Sequence, residues 1–278
     1  MPSLDFNIKP LAQEEVGDFF FGRRRELDFL LNQITNSHGG KAFAISGRRG
    51  AGKSTLINKL ITELKDRGNY LIVKVDVPKE FDEFFIVKRI LRAVCEGATK
   101  EPKVQERNEL LIEVCVKLNR LDCQITQKNE VGKEDAVIKA VKGSVNAVIA
   151  NVGGNRSVED REIEKTVREL RLLEYDLERA QAALQALLEN LAHVFTGIVI
   201  IVDETDKSNY VDAVKTLDNI KPLFWLENCY YIFVGSQEFH EDYLSGIKTG
   251  KKTLLDSLFT RIVYLHPFGD EDLVRMLK

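Results

Sequence analysis

A glycine-rich octapeptide, residues 47–54, is the feature that most limits what this chain can fold into. It has the spacing G-x-x-x-x-G-K-S, follows the apolar run 41–46 and leads into a helical pattern over residues 53–67. Glycines let backbone N–H groups approach anionic oxygens, and the start of a helix adds partial positive charge. The order strand, glycine-rich loop, helix therefore predicts a phosphate-binding loop (P-loop) at the edge of a parallel sheet.

Each polar position of the P-loop has a task in phosphate binding. Lys53 can reach the β- and γ-phosphates, Ser54 can place its hydroxyl on Mg²⁺, and Thr55 suits the α-phosphate. The loop backbone supplies the remaining contacts, through Gly47, Gly50, Ala51 and Gly52.

Further apolar runs predict the rest of the sheet. They cover residues 70–77, 197–203, 230–234 and 262–265. Helical patterns cover residues 26–34 and 210–228, with a kink or restart at Pro222. The sequence therefore predicts an α/β fold, a three-layer P-loop NTPase sandwich with a five-stranded parallel sheet.

Two acidic residues follow the most apolar strand, at the sheet edge where parallel sheets bind ligands. Asp203 can hold Mg²⁺, and Glu204 can orient and polarise an attacking water beside the γ-phosphate. The alternative for this pair is an ordinary acidic turn. Asp206 and Lys207 are expected to form a solvated turn.

Later residues extend the candidate site. Ser236, just past the fourth strand, can sit beside the γ-phosphate, with Gln237 as the neighbour that could replace it, or it can cap a helix. Arg261 begins the fifth strand and can reach the γ-phosphate of a neighbouring subunit; the alternatives are a surface arginine and a structural ion pair. The arginines at 23–25 either cover apolar surface with their stems or flank the nucleotide.

A helix-rich segment separates the second and third strands. Residues 101–194 exceed what a crossover needs, and a seven-residue repeat predicts a long helix over residues 158–194. This helix is either half of a helical arm, with residues 108–121 as its partner, or a single helix packed on the sheet. Residues 131–156 fit helix and strand periods equally and form a candidate tip. The alternatives for it are a mobile tip, a membrane-touching patch and a packing or partner-binding surface, of which we favour the last.

Composition narrows the class of protein. The net charge of −3 gives no global attraction to nucleic acid. The four cysteines lack metal-ligand spacing, so we expect buried reduced thiols at Cys95, Cys115, Cys123 and Cys229. There is no signal-peptide pattern and no run of about 18 apolar residues, which predicts a cytoplasmic protein without a membrane span.

The motifs occur together in an order that is known from one family. Phe20-Phe21-Gly22-Arg23-Arg24-Arg25-Glu26-Leu27, the P-loop, the strands ending at Asp203-Glu204 and at Ser236, and Leu258-Phe259-Thr260-Arg261 follow one another. Over residues 20–100 and 195–270 the chain resembles AAA+-type ATPases of the STAND and origin-recognition (archaeal replication initiator) group. The resemblance implies ATP with Mg²⁺, assembly of a homo-oligomer through the Arg261 face, and Phe21 and Gly22 beside the adenine.

The resemblance also implies a function and a domain organisation. We expect an ATP-hydrolysing module that acts as a nucleotide-driven oligomerisation switch, of the kind that serves defence or signalling. The alternatives are a DNA-associated ATPase (a loader or a transposition or replication regulator), which the net charge disfavours, and a nucleotide-binding scaffold with little turnover. Residues 1–100 and 195–270 are expected to form the core, residues 101–194 a helical insertion, and residues 271–278 the start of a truncated lid.

Overall fold

The computed structural model describes residues 22–77, 83–100, 177–205 and 209–267. The predicted arm partner 108–121 and tip 131–156 lie outside these residues. So do Phe21, Asp206, Lys207 and the predicted lid segment 271–278.

Five parallel strands form the sheet. They are β1 Lys41–Gly47, β2 Tyr70–Asp76, β3 Gly197–Asp203, β4 Cys229–Val234 and β5 Arg261–Leu265, in the spatial order β2-β3-β4-β1-β5. β3 and β4 are buried along their whole length because each has a strand on both sides and helices on both faces. The predicted α/β sandwich with a five-stranded parallel sheet is confirmed.

Helices cover both faces of the sheet and complete the three layers. The first face carries α1 (Arg24–Thr35) and α2 (Lys53–Arg67). The second face carries α3 (Glu83–Thr99), α4 (Leu177–Leu191), α5 (Tyr210–Ile220), α6 (Glu238–Thr249) and α7 (Leu254–Leu258). In this described part of the chain, no helix is both long and apolar enough to cross a membrane.

The last part of the predicted long helix packs on the core. Within the described residues this helix runs over Leu177–Leu191 as α4, three residues short of the predicted end at Val194. Its apolar side contacts α3 and is fully buried at Leu184, Leu187, Leu188 and Leu191. α4 therefore contributes to the same hydrophobic layer as α3 and α5.

The helix predicted over residues 210–228 changes type at Pro222, where the sequence pattern predicts a kink or restart. α5 stops at Ile220, and Lys221–Trp225 forms a 3₁₀ helix, since proline has no backbone N–H to continue α-helical bonding. Asn228 then takes a left-handed φ of 57° just before β4. The predicted restart at Pro222 is confirmed, but the helix that follows is 3₁₀ and ends at Trp225, so the predicted helix is wrong over residues 226–228. β4 begins one residue earlier than expected.

The described cysteines agree with the thiol prediction. Cys95 and Cys229 are free and buried. Burial, with the charge of Glu189 as a second cause, raises the pKa of the Cys229 thiol to about 12, so that it stays protonated at neutral pH. Cys115 and Cys123 lie outside the described residues.

Gly40 lies directly before β1, where the chain packs closely against the turn that leads into β4. A Cβ there would lie 2.4 Å from the carbonyl oxygen of Leu226 and 2.6 Å from the carbonyl carbon of Trp225. Because these are backbone atoms, we expect Gly40→Ala to lower the free energy of unfolding by about 1–3 kcal/mol. Gly39→Ala is the matched control, since a Cβ at Gly39 meets nothing within 4 Å. Denaturant unfolding measures both, and equal stability of the two variants would contradict the described packing.

Candidate active site

The P-loop joins β1 to α2 at the carboxyl edge of the sheet. Gly50 and Gly52 have left-handed φ angles of 84° and 85°, which glycine adopts without strain. Gly52 is also the N-cap of α2, so the N–H groups of the loop and the helix N-terminus meet at this edge. Lys53 begins α2, and its Nζ donates to the carbonyl of Gly47 at 2.6 Å and to that of Arg48 at 3.3 Å. The ammonium group is thus held at the loop, where phosphate charge would be received.

The other residues predicted to bind phosphate lie next to Lys53 in the sequence. Ala51 is buried within the loop, and Ser54 and Thr55 occupy the first turn of α2 with half-buried side chains. At Gly47 a Cβ would lie 2.8 Å from the carbonyl oxygen of Leu265. The loop therefore passes so close to the end of β5 that only glycine fits at this position.

The acidic pair lies at the end of β3. Asp203 is buried, and its Oδ1 accepts a hydrogen bond from the N–H of Glu204 at 2.8 Å. Glu204 has a φ of 63°, a left-handed conformation that costs a residue other than glycine about 1–3 kcal/mol. Strained backbone of this kind is concentrated at functional sites, which supports a role for Glu204.

Two hydrogen bonds fasten the ends of β1 and β3 to the end of β4. The buried hydroxyl of Thr205 donates to the carbonyl of Val234 at 2.9 Å. The hydroxyl of Ser46, also buried, donates to the carbonyl of Ser236 at 2.5 Å. Because β4 lies between β1 and β3, these bonds bring the P-loop, Ser236 and the acidic pair to one edge of the sheet.

The loop after β4 also contacts the P-loop directly. Nε of Arg48 donates to Oε1 of Gln237 at 2.9 Å. Gln237, not Ser236, occupies the N-cap position of α6, and the N–H of Glu238 is 3.4 Å from the Ser236 hydroxyl oxygen. The helix-capping alternative for Ser236 therefore accounts for at most one long hydrogen bond.

Lys74, which the sequence analysis did not single out, reaches the acidic pair from β2. Asp76 is opposite Asp203 in the parallel register, and Lys74 lies two residues earlier on the same face. Its Nζ is 2.9 Å from Oδ2 of Asp203 and 3.7 Å from Oδ1 of Asp76. Burial lowers the pKa of Lys74, but the hydrogen bond and charge of Asp203, with the charges of Asp76 and Glu204, outweigh burial and raise it. The available signal was the alternation of polar residues 74 and 76 in an otherwise apolar strand.

Arg23 is the second functional candidate whose place only the structure decides. Its side chain is buried, and its guanidinium donates to the carbonyl of Ala51 at 3.3 Å and to the carbonyl of His266. Gly22, directly before it, has a left-handed φ of 68°. The segment before α1 is thus fastened to both the P-loop and the end of β5, so Arg23 lies beside the phosphate loop itself.

Arg261 is not part of this group. It begins β5 opposite Phe43, four residues before the end of β1, which places it about 13 Å along the strands from the P-loop at roughly 3.3 Å per residue. The residue is exposed, and the carbon of its guanidinium lies 5.2 Å from the ring centre of Phe29. The same chain's phosphate site is out of its reach.

The oxygen donors at the carboxyl edge fit Mg²⁺ held together with a nucleotide. The Ser54 hydroxyl and the Asp203 carboxylate are the hard oxygen ligands that this ion prefers. Among the described residues there is no cluster of three or more His, Cys, Asp or Glu side chains that could hold a metal alone. Such a sparse donor set suits an ion that keeps waters and takes phosphate oxygens as further ligands.

Solved structures with a similar chain path come from archaea and an insect. They are a Walker-type ATPase of Pyrococcus abyssi, Cdc6p from Pyrobaculum aerophilum and Drosophila ORC bound to DNA, with 14%, 12% and 13% sequence identity. The TM-scores are 0.44, 0.43 and 0.42, over 92%, 97% and 95% of this chain. This chain spans 57%, 51% and 48% of theirs, about half their length. No curated protein matches the chain.

A family match covers the P-loop and the acidic pair. The model of the AAA ATPase domain matches residues 20–219, which is more than two thirds of the 278 residues. The matched range begins just before α1 and ends within α5, so that Ser236 and Arg261 lie beyond it. The chain therefore belongs to the AAA ATPase domain family.

Proposed function

We propose that this chain binds ATP with Mg²⁺, hydrolyses it, and uses the nucleotide to control assembly of a homo-oligomer. The observation that carries the proposal is the meeting of the P-loop, Asp203-Glu204 and Ser236 at one edge of the sheet. Membership of the AAA ATPase domain family supports ATP as the nucleotide. We assign the module to the switches that serve defence or signalling, because the net charge of −3 does not favour association with DNA.

Binding is assigned to the P-loop and the start of α2. The backbone N–H groups around Gly50 and Gly52 and the N-terminus of α2 receive the phosphates, and the ammonium of Lys53 offsets their charge. Ser54 and Asp203 hold Mg²⁺, whose chemistry is to neutralise charge on the transferring phosphate. The carbonyls that now hold Lys53 keep its ammonium near the phosphate position before ATP arrives.

Hydrolysis is assigned to residues at the ends of β3 and β4. The Glu204 carboxylate accepts a hydrogen bond from the attacking water and turns its lone pair toward the γ-phosphorus. The Ser236 hydroxyl donates to a γ-phosphate oxygen from the neighbouring strand. The Thr205–Val234 bond keeps these two groups at a constant separation, since it joins the segments that carry them.

Arg261 is assigned to the active site of a neighbouring chain. Because Arg261 is too far from the P-loop of its own chain, we assign it to the phosphate site of a second copy of the chain. An arginine delivered in this way stabilises the negative charge of the transition state and couples turnover to assembly. For the chain as a whole, we propose residues 1–100 and 195–270 as the core, and residues 101–194 as an insertion that contacts a protein partner and whose last helix, α4, packs on that core.

The assignment of Glu204 is tested by Glu204→Gln, which keeps the size of the side chain and removes its charge. We expect steady-state phosphate release from ATP to fall on the order of 10²-fold or more, because a neutral amide polarises the attacking water much less than a carboxylate does. Binding of a fluorescent ATP analogue should be retained. Glu227→Gln, an exposed glutamate just before β4, is the control and should keep full turnover. Unchanged turnover in Glu204→Gln would show that this residue is not the catalytic carboxylate.

Action between chains is tested by mixing two inactive variants. Lys53→Ala removes phosphate binding, and Arg261→Ala should lower turnover on the order of 10³-fold. In the mixture, an Arg261→Ala chain offers an intact P-loop and a Lys53→Ala chain offers an intact Arg261, so turnover should return and rise with protein concentration. Arg261→Ala mixed with the double variant is the control without a functional pairing. A mixture that stays inactive at every ratio and concentration would contradict a shared active site.

A further inference from the structure

Lys74 and Asp203 form a close ion pair at the position proposed for Mg²⁺. The Lys74 ammonium is 2.9 Å from Oδ2 of Asp203, while Oδ1 accepts the Glu204 N–H at 2.8 Å. Both oxygens of the carboxylate therefore already have a hydrogen-bond donor. A cation that binds Asp203 has to share the carboxylate with Lys74 or displace the Lys74 ammonium group from it.

Asp76 offers the lysine a second place. Its Oδ1 lies 3.7 Å from the Lys74 Nζ, on the side of Lys74 that is closer to solvent. The side chain of Asp76 is 62% exposed, whereas that of Asp203 is 12% exposed. The Lys74 Nζ is 3.7 Å from this carboxylate and 2.9 Å from that of Asp203, so a small rotation of the flexible lysine side chain makes Asp76 its main partner.

The surroundings leave room for such a movement. The Lys74 side chain is 44% exposed. It lines a groove of about 450 Å³ between β2 and α3, together with Asp76, Phe85 and Lys88. A lysine that served only to neutralise a buried carboxylate would not need this open side.

We infer that Lys74 is a positioning residue that competes with Mg²⁺ for Asp203, and that Asp76 receives the lysine when the metal takes the carboxylate. The inference rests on the proposed function, because it takes Asp203 as the metal-binding residue. Lys74 holds the Asp203 side chain toward the β2 side and keeps its charge balanced. It thereby sets the Mg²⁺ concentration at which the nucleotide is bound productively.

The test is a titration of Mg²⁺ at a fixed concentration of fluorescent ATP analogue, with binding to the full chain as the readout. Removing the competitor in Lys74→Met should lower the half-saturating Mg²⁺ concentration by about two- to fivefold, the range expected of a partly exposed ion pair. Asp76→Asn should raise it by a similar factor, because the lysine loses its second place. Lys88→Met removes an equal charge from the same groove and should leave the midpoint unchanged.

A double variant separates exchange of partners from simple loss of charge. In the Lys74→Met background there is no lysine to relocate, so Asp76→Asn should have no further effect on the midpoint. An undiminished effect of Asp76→Asn in that background would overturn the role of Asp76. Lys74→Gln repeats the comparison should the methionine variant fold poorly, and thermal unfolding without nucleotide monitors folding. If the Lys74 variants melt at a lower temperature but show no shift of the Mg²⁺ midpoint, the ion pair is only structural and the inference is overturned.

Asp203→Asn distinguishes failure of this inference from failure of the proposed function. If the Mg²⁺ midpoint of Asp203→Asn differs from that of the unmodified chain, while the midpoints of the Lys74 variants do not, only the proposed competition is wrong. If nucleotide binding of the unmodified chain is independent of Mg²⁺, or if Asp203→Asn has no effect on the midpoint, the proposed metal site falls and the inference falls with it.

Discussion

The position of β4 between β1 and β3 is the constraint on which the rest of the site depends. The two faces of the sheet are covered by helices, so polar side chains can be presented at its carboxyl edge. At that edge β4 separates the P-loop from the acidic pair by one strand spacing on each side. The hydroxyls of Ser46 and Thr205 bond to carbonyls at the end of β4 and keep both separations constant. Buried hydroxyls with carbonyl partners are costly to disturb, which makes these two residues supports for the site.

Two lysines lie at this edge of the sheet, and we propose a different task for each. The ammonium group of Lys53 donates to the backbone carbonyls of Gly47 and Arg48, which holds it at the P-loop. Lys74 is held by carboxylates, so its charge is largely balanced by Asp203 and Asp76. We propose that Lys53 receives the phosphates of the nucleotide and that Lys74 acts on Asp203, the proposed metal-binding residue. Because the two side chains are chemically identical, the proposed tasks differ only through the place of each ammonium group in the fold.

Much of the architecture could be read from local patterns because those patterns are strong here. The bounds of α2 and β3 agree with the predicted Lys53–Arg67 and Gly197–Asp203, since a glycine-rich loop, a glycine stop and an unbroken apolar run mark them. The helix predicted to reach Asn228 ends at Trp225, and Pro222, two residues after the end of α5 at Ile220, lies in a 3₁₀ helix because it cannot continue α-helical hydrogen bonding. The positions of the Arg23 and Lys74 side chains could not be predicted, for another reason. Their partners are distant in sequence: His266 lies 243 residues after Arg23, and Asp203 is reached only through pairing of β2 with β3.

The sequence by itself determined the phosphate loop, the helix that follows it, the apolar strands and the acidic pair, because each is encoded within a short run of consecutive residues, the longest being the 15 of α2. The order of the strands is not a local property, and only the tertiary structure decided it. That order places Ser236 between the P-loop and Glu204 and sets Lys74 against Asp203. The register of β5 on β1 places Arg261 opposite Phe43, away from the P-loop. Strand pairing and the burial of both sheet faces decide which side chains lie close together. Both depend on contacts between distant parts of the chain.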